Sequence, residues 1–185
     1  IYIDEDCTIT TPFDMLINRM IERRRENRHG SCGYGIWETV RRNEAGHPIY
    51  WKDIVSLGTT DIIDKLKTLR DNYFKKVLVE YGITLTDEER EMYYSDNLLE
   101  NYAADTVNMT MIANVRSYKS IECEYDVVVF ENAQGLLLDR YADEWGTPTR
   151  TGMAYIKELT SGEVIPYYVT RSYITKHGNG LFPGE

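Results

Sequence analysis

A glycine-rich loop that ends in two arginines is the segment of this sequence best suited to chemistry. Residues 29–42 read HGSCGYGIWETVRR, with three glycines inside six residues and a serine and a cysteine between them. Glycines let backbone N–H groups approach an anion closely, and hydroxyl or thiol side chains can donate further hydrogen bonds. The segment is open to three interpretations: a phosphate-binding loop, a cysteine-based active site or a hinge between helices.

Motif spacing separates these interpretations only in part. The loop lacks the G-x-G-x-x-G spacing of dinucleotide-binding turns, and the chain contains no G-x-x-x-x-G-K-[ST] phosphate loop. A nucleophilic Cys32 needs a base, and the sequence does not place His29, His47 or His177 beside it. Taken alone, the loop favours a structural glycine turn between helices.

Two further polar segments are candidates for ligand contacts. Gln134 follows DVVVF (126–130), a run typical of a buried strand, and its amide could recognise a purine or pyrimidine edge or cap backbone groups of the turn. A hydroxyl-rich loop follows at 145–152. Its threonines could bind an anion or saturate the backbone of the loop; they are Thr147, Thr149 and Thr151, beside Arg150.

Composition excludes several classes of protein. The 185 residues carry a net charge of −9, which argues against a general nucleic-acid binder, although RMIERRRENRH (19–29) is a local basic run. That run is explained as well by a solvated helix face. No apolar run approaches the ~20 residues that cross a bilayer. Three widely spaced cysteines without a CxxC pair support neither a zinc ribbon nor a disulfide framework, and they indicate a reducing cytoplasm.

The order of elements that must position these residues predicts an α/β fold. A short strand at 1–3 precedes a helix that Thr11 of TTPFD (10–14) can cap and that runs to about residue 27. Helical spacing predicts that one face of this helix is buried: Phe13, Leu16, Ile17, Met20 and Ile21. Helices are predicted at 59–82 and from the capping box TDEE at 86–89 to about 115, and strands at 126–130 and 165–176. The helix at 59–82 carries an apolar stripe: Ile62, Leu66, Leu69, Tyr73 and Val77. We expect a predominantly parallel sheet with a helical insertion over residues 50–120.

Collinear segments resemble one known family, the adenylosuccinate synthetases. HGSCGYGIWETVRR resembles the family's G-T-T-G-x-G-I-G-P and the V-A-R-R that follows it. FENAQGLLLD resembles F-E-G-A-Q-G-T-L-L-D, and RSYITKHGNGLFPGE resembles K-A-Y-x-T-R-V-G-x-G-P-F-P-T-E. TTDIIDKLKTLRDNYFKK is similar to the family's helix after the arginine pair. The segments occur in family order across most of the chain.

The resemblance implies a ligase that condenses IMP with L-aspartate, driven by GTP and Mg²⁺ through a 6-phosphoryl intermediate. It implies a P-loop-NTPase-like synthetase fold and a homodimer. Ser31 and Cys32, with Gly33, match the loop that holds the IMP 5′-phosphate. Gln134 matches a nucleotide-contacting glutamine, and Thr147 a threonine at the phosphate. Arg42, the second arginine of the pair, matches one that reaches the phosphate in the neighbouring subunit.

Departures from the family pattern suggest a divergent branch, such as one that acts on a modified purine or a deoxynucleotide. Cys32 replaces a threonine and is a weaker donor, and Trp37 replaces the glycine of G-I-G-P. Asn132 replaces a glycine in the glutamine turn, and TPTRTG departs from T-S-S-N-T.

Several family motifs are absent from the 185 residues. These are the W-G-D-E-G-K-G-K stretch, the G-G-H-N-A-G-H histidine segment, the N-x-K-x-D guanine motif and the T-T-G-R-x-R aspartate loop. We therefore expect residues 1–185 to be the central part of a single larger synthetase domain. It would carry the phosphate half-site and dimer contacts, with no catalytic or metal-binding residue and no turnover alone. The alternatives are a non-catalytic nucleotide-binding paralogue used for regulation or assembly, and an unrelated α/β protein whose loop binds another anion.

Overall fold

The computed structural model describes residues 1–28, 30–131, 139–140, 153–169 and 172. The chain forms two compact units, with Ile1–Ser117 in the first and the described residues from Tyr118 onward in the second. Helices and a small parallel sheet together make the protein an α/β protein, as expected. Within the described residues, no helix is both long and apolar enough to cross a membrane.

The first helix, α1 (Pro12–Arg24), begins at its predicted cap. Thr11 Oγ1 accepts from Asp14 N at 3.3 Å, and Asp14 Oδ2 accepts from Thr11 N at 2.8 Å. This reciprocal capping box satisfies donors at the helix start, and Pro12 fits the first turn because it has no N–H to satisfy. The predicted apolar face is confirmed as buried: Phe13, Leu16, Ile17, Met20 and Ile21.

Two shorter helices follow the glycine loop. Helix α2 (Ile36–Glu44) starts directly after Gly35 and packs against α1, and α3 (Trp51–Ile54) follows the turn at Gly46. A long helical segment then runs without a break through α4 (Thr59–Leu69), a π-helical turn (Arg70–Phe74) and α5 (Lys75–Glu80). Its predicted stripe is confirmed as buried: Ile62, Leu66, Leu69, Tyr73 and Val77.

Helix α6 (Asp87–Tyr93) begins with the predicted capping box. Glu89 N donates to Thr86 Oγ1 at 3.2 Å, and Thr86 N donates to Glu89 Oε2 at 3.1 Å. The same carboxylate receives two hydrogen bonds from Arg24, at 2.8 and 2.6 Å, which tie α6 to the end of α1. The pKa of Glu89 is lowered to about 2, mainly because Arg24 donates these hydrogen bonds to its carboxylate.

The prediction of one helix from 86 to about 115 is wrong in two places. A second helix, α7 (Asp96–Ile112), starts afresh because Ser95 Oγ accepts from Leu98 N and caps it. It ends at Ile112, because β2 (Asn114–Val115) leaves the helix to pair in parallel with β1 (Tyr2–Ile3). The predicted strand at the start of the chain is thus confirmed, whereas its partner, β2, was not predicted from the residues around it.

The second unit contains α8 (Tyr118–Glu122) and α9 (Met153–Leu159). The predicted strand at 126–130 is wrong, because these residues form no strand and the side chains of Val127 and Val129 are 78% and 86% exposed. Residues 165–169, the first part of the other predicted strand, are likewise not a strand. A β-branched run becomes a strand only when another segment pairs with its backbone, and no described residue pairs with either run.

Candidate functional site

Three glycines of the loop adopt the left-handed backbone conformation, with φ values of 75° at Gly30 and 74° at Gly33 and Gly35. Gly35 also packs onto the backbone of α1, where a Cβ would lie 2.6 Å from the carbonyl carbon of Asp14. At Gly33, a Cβ would lie 3.0 Å from Arg19 Nε. Glycine is required at Gly35 by both φ and space, so the loop can approach α1 closely.

Side chains on the outer face of α1 hold the loop in place. Ser31 Oγ donates to Asn18 Oδ1 at 2.8 Å and accepts from Gly33 N at 3.2 Å. Arg19 Nε donates to Gly33 O at 3.2 Å. The predicted phosphate contacts Ser31, Cys32 and Gly33 therefore sit on one ordered turn beside the basic end of α1, and Cys32 is exposed with a free thiol.

A carboxylate already sits on the N–H groups of this loop. Glu22 Oε1 accepts from Gly30 N at 2.7 Å and from Ser31 N at 3.4 Å. Its other oxygen, Oε2, lies 3.8 Å from Arg25 Nη1, and the side chain is only 15% exposed. The loop thus presents two backbone donors to an anionic oxygen, which is the chemistry expected of a phosphate cradle. Neither Asn18 nor Glu22 was identified from the sequence, although they are four residues apart on one helix face.

Arg42 occupies the centre of the first unit. Its side chain is fully buried, with Nε 3.1 Å from Asp14 Oδ1 and 3.2 Å from Asp14 Oδ2. Nη1 donates to His47 O at 2.7 Å and Nη2 to Ile9 O at 2.6 Å. All three nitrogens are engaged within the protein, so Arg42 joins α1, α2 and the segments on either side of them. Its predicted phosphate contact stays a prediction.

The preceding residue, Arg41, faces outward. Its side chain is 24% exposed, Nη2 lies 2.5 Å from Glu80 Oε1, and the guanidinium carbon lies 4.8 Å from the centre of the Tyr81 ring. Its Nη1 is buried and has no hydrogen-bond partner among the residues that the structure describes. Of the two adjacent arginines, Arg41 is therefore the one with an unused donor, which a ligand could reach only if Nη1 became exposed.

Glu38 lies in the first turn of α2 and is 4% exposed. Burial raises the pKa of its carboxyl to about 7; Arg41 works against that rise and Asp14 adds to it. The first turn of α2 therefore carries a group that titrates near neutral pH.

Gln134 and Thr147 lie outside the described residues, as does His29. Among the residues that the structure describes, no three His, Cys, Asp or Glu side chains form a group that could hold a metal ion.

Comparison with known proteins identifies the family. The family profile described as adenylosuccinate synthetase matches residues 1–185. The chain is 27% identical over 196 residues to the adenylosuccinate synthetase of Francisella tularensis subsp. novicida, covering 100% of this chain and 43% of that protein. The enzyme of Francisella philomiragia is 26% identical with the same coverage. The chain thus spans less than half the length of these relatives, and no solved structure matches it. This protein belongs to the adenylosuccinate synthetase family, a family of ligases.

Proposed function

We propose that the glycine loop of this protein binds the 5′-phosphate of a purine nucleotide. The observation that carries the proposal is the pair of N–H groups of Gly30 and Ser31, which point at one anionic oxygen. In the proposed complex a phosphate oxygen takes that place, and Gly33 keeps the backbone close. The Ser31 hydroxyl, which donates to Asn18 Oδ1 in this structure, turns to donate its one hydrogen to a second phosphate oxygen. Cys32 matches a threonine of the family motif, and its thiol is a weaker hydrogen-bond donor than the threonine hydroxyl.

The substrates of the reaction are proposed from the family. The nucleotide is IMP or a related purine nucleotide, which is condensed with L-aspartate in purine biosynthesis, with GTP and Mg²⁺ bound elsewhere in the enzyme. Gln134 and Thr147 are proposed to contact the nucleotide. The family's catalytic motifs do not occur in these 185 residues, so we propose that the chain alone does not turn over. We also propose a P-loop-NTPase-like fold, in which residues 1–185 are the central part and residues 50–120 form a helical subregion. We propose a cytoplasmic location for the protein.

The arginine pair is proposed to divide two tasks. Arg42 maintains the packing of the loop and α2, and a direct phosphate contact by Arg42 would require it to leave Asp14. Arg41, whose Nη1 has no partner among the described residues, is the better candidate for a charge-assisted contact to phosphate, within the chain or across a homodimer. That contact requires the buried Nη1 to become exposed.

Calorimetric titration of the 185-residue chain with IMP, dIMP and inosine tests the phosphate contact. We expect IMP and dIMP to bind and inosine, which lacks the phosphate, to bind at least about tenfold more weakly, because charged hydrogen bonds contribute about 1.5–3 kcal/mol each. Ser31→Ala should weaken IMP binding about five- to tenfold. Ser120→Ala, a serine of the second unit, is the matched control. Equal affinity for IMP and inosine would refute the proposal, whereas turnover of IMP and aspartate by this chain would refute only its inactivity.

A further inference from the structure

The carboxylate of Glu22 occupies the donors that a phosphate would use. Its Oε1 is 2.7 Å from Gly30 N and 3.4 Å from Ser31 N. A carboxylate and a phosphate are both negatively charged and accept the same hydrogen bonds, so they cannot share these two N–H groups. The loop in this structure is therefore closed on an anion supplied by the protein itself.

The loop does not depend on Glu22 for its shape. Ser31 Oγ is bonded to Asn18, and Gly33 O is bonded to Arg19, and neither contact involves the glutamate. Gly35 is fixed independently by its close approach to the backbone of α1. Removal of the Glu22 charge should therefore free two donors without unfolding the turn that carries them.

The Glu22 carboxylate has a second charged partner, Arg25, that it could keep if a ligand displaced it from the loop. Its Oε2 lies 3.8 Å from Nη1 of Arg25, the residue just after the last residue of α1, and the Arg25 side chain is 40% exposed. A rotation of the glutamate toward Arg25 would keep an ion pair and open the N–H groups of Gly30 and Ser31. The exchange replaces one anion on the loop by another at little electrostatic cost.

We propose that Glu22 is a built-in competitor of the phosphate, an autoinhibitory contact that closes the loop until a more highly charged anion displaces it. This inference rests on the proposed phosphate-binding function of the loop. Glu22 would then determine which ligands bind the loop. A phosphate dianion displaces the carboxylate monoanion, whereas a neutral or singly charged ligand does not.

Titration with inorganic phosphate and with IMP tests the competition. Glu22→Gln keeps the shape and removes the charge, and Glu22→Ala removes the acceptor. We expect both variants to bind phosphate and IMP at least about fivefold more tightly than the wild type, because a charged competitor is gone. Glu26→Gln is the matched control. It is exposed at the same end of α1, changes the net charge equally, and should change affinity less than about twofold.

Two failures are distinguishable. If the wild type binds phosphate and Glu22→Gln binds no more tightly than Glu26→Gln, the competition is refuted and the proposed function stands. If neither the wild type nor any variant binds phosphate or IMP, the proposed function fails and the competition falls with it. Circular dichroism shows whether each variant is folded, and the isosteric Glu22→Gln serves if Glu22→Ala is not.

Discussion

The glycine loop (residues 30–35) and the arginine centre, which is the buried pair of Arg42 and Asp14, differ in how their polar groups are hydrogen-bonded. In the loop, Ser31 is exposed and its N–H shares one carboxylate oxygen with Gly30. In the arginine centre, Arg42 and Asp14 are both 0% exposed, and each nitrogen of the guanidinium has an acceptor. The loop has exposed N–H groups that can exchange one acceptor for another, whereas every guanidinium nitrogen of Arg42 is buried with its acceptor.

This difference separates binding from architecture. A contact with a ligand needs donors that are reachable and held by replaceable partners, which describes the N–H groups of Gly30 and Ser31 in the loop. A buried pair with saturated hydrogen bonds fixes the orientation of α1 and α2, and its removal leaves a partner charge without compensation. Substitutions in the two regions should therefore affect different measurements.

Loss of Arg42 should have the largest effect on stability. Arg42→Ala leaves the Asp14 carboxylate buried and unpaired, so we expect the free energy of unfolding in urea to fall by about 3–5 kcal/mol. Arg41→Ala, the neighbouring control, should cost less than about 1 kcal/mol because its ion pair with Glu80 is solvent-exposed. Equal losses for the two arginines would contradict the division between them.

Gly35→Ala should have the next largest effect. A methyl group would clash with the α1 backbone at 2.6 Å and would force alanine into a φ of 74°, so a loss of about 2–4 kcal/mol is expected by urea denaturation. Gly46→Ala is the matched control. It has a φ of 83° but open space around it, so it isolates the conformational cost of about 1 kcal/mol. A similar cost at both positions would show that the loop does not pack tightly on α1.

Removal of the Glu38 charge should have the smallest effect and the opposite sign. The folded protein retains the Glu38 proton up to about pH 7, whereas the unfolded chain loses it near pH 4.5. Unfolding therefore releases a proton in that window, and the free energy of unfolding falls as the pH rises from about 4.5 to 7. Glu38→Gln should flatten this slope and raise stability at pH 8 by about 1–2 kcal/mol. A wild-type slope that survives in Glu38→Gln would contradict the assignment.

Features encoded by neighbouring residues were predictable from the sequence, and features that depend on distant partners were not. The capping box at Thr11 and the buried stripe on α4 rest on contacts within a few turns. The run at 126–130 has strand composition but no described pairing partner. At the site, the glycine loop was identified from its composition. Which arginine is buried was not, because adjacent helix residues point about 100° apart and only tertiary packing decides which faces inward.

The N–H groups of the glycine loop are proposed to bind the phosphate of a nucleotide. Amide chemical-shift mapping by NMR, with IMP and then inosine added to the isotope-labelled chain, tests it most directly. We predict that IMP shifts the amide signals of Gly30, Ser31 and Gly33 in a saturable way and that inosine leaves them unchanged. Saturable IMP shifts that spare these three amides would contradict the claim.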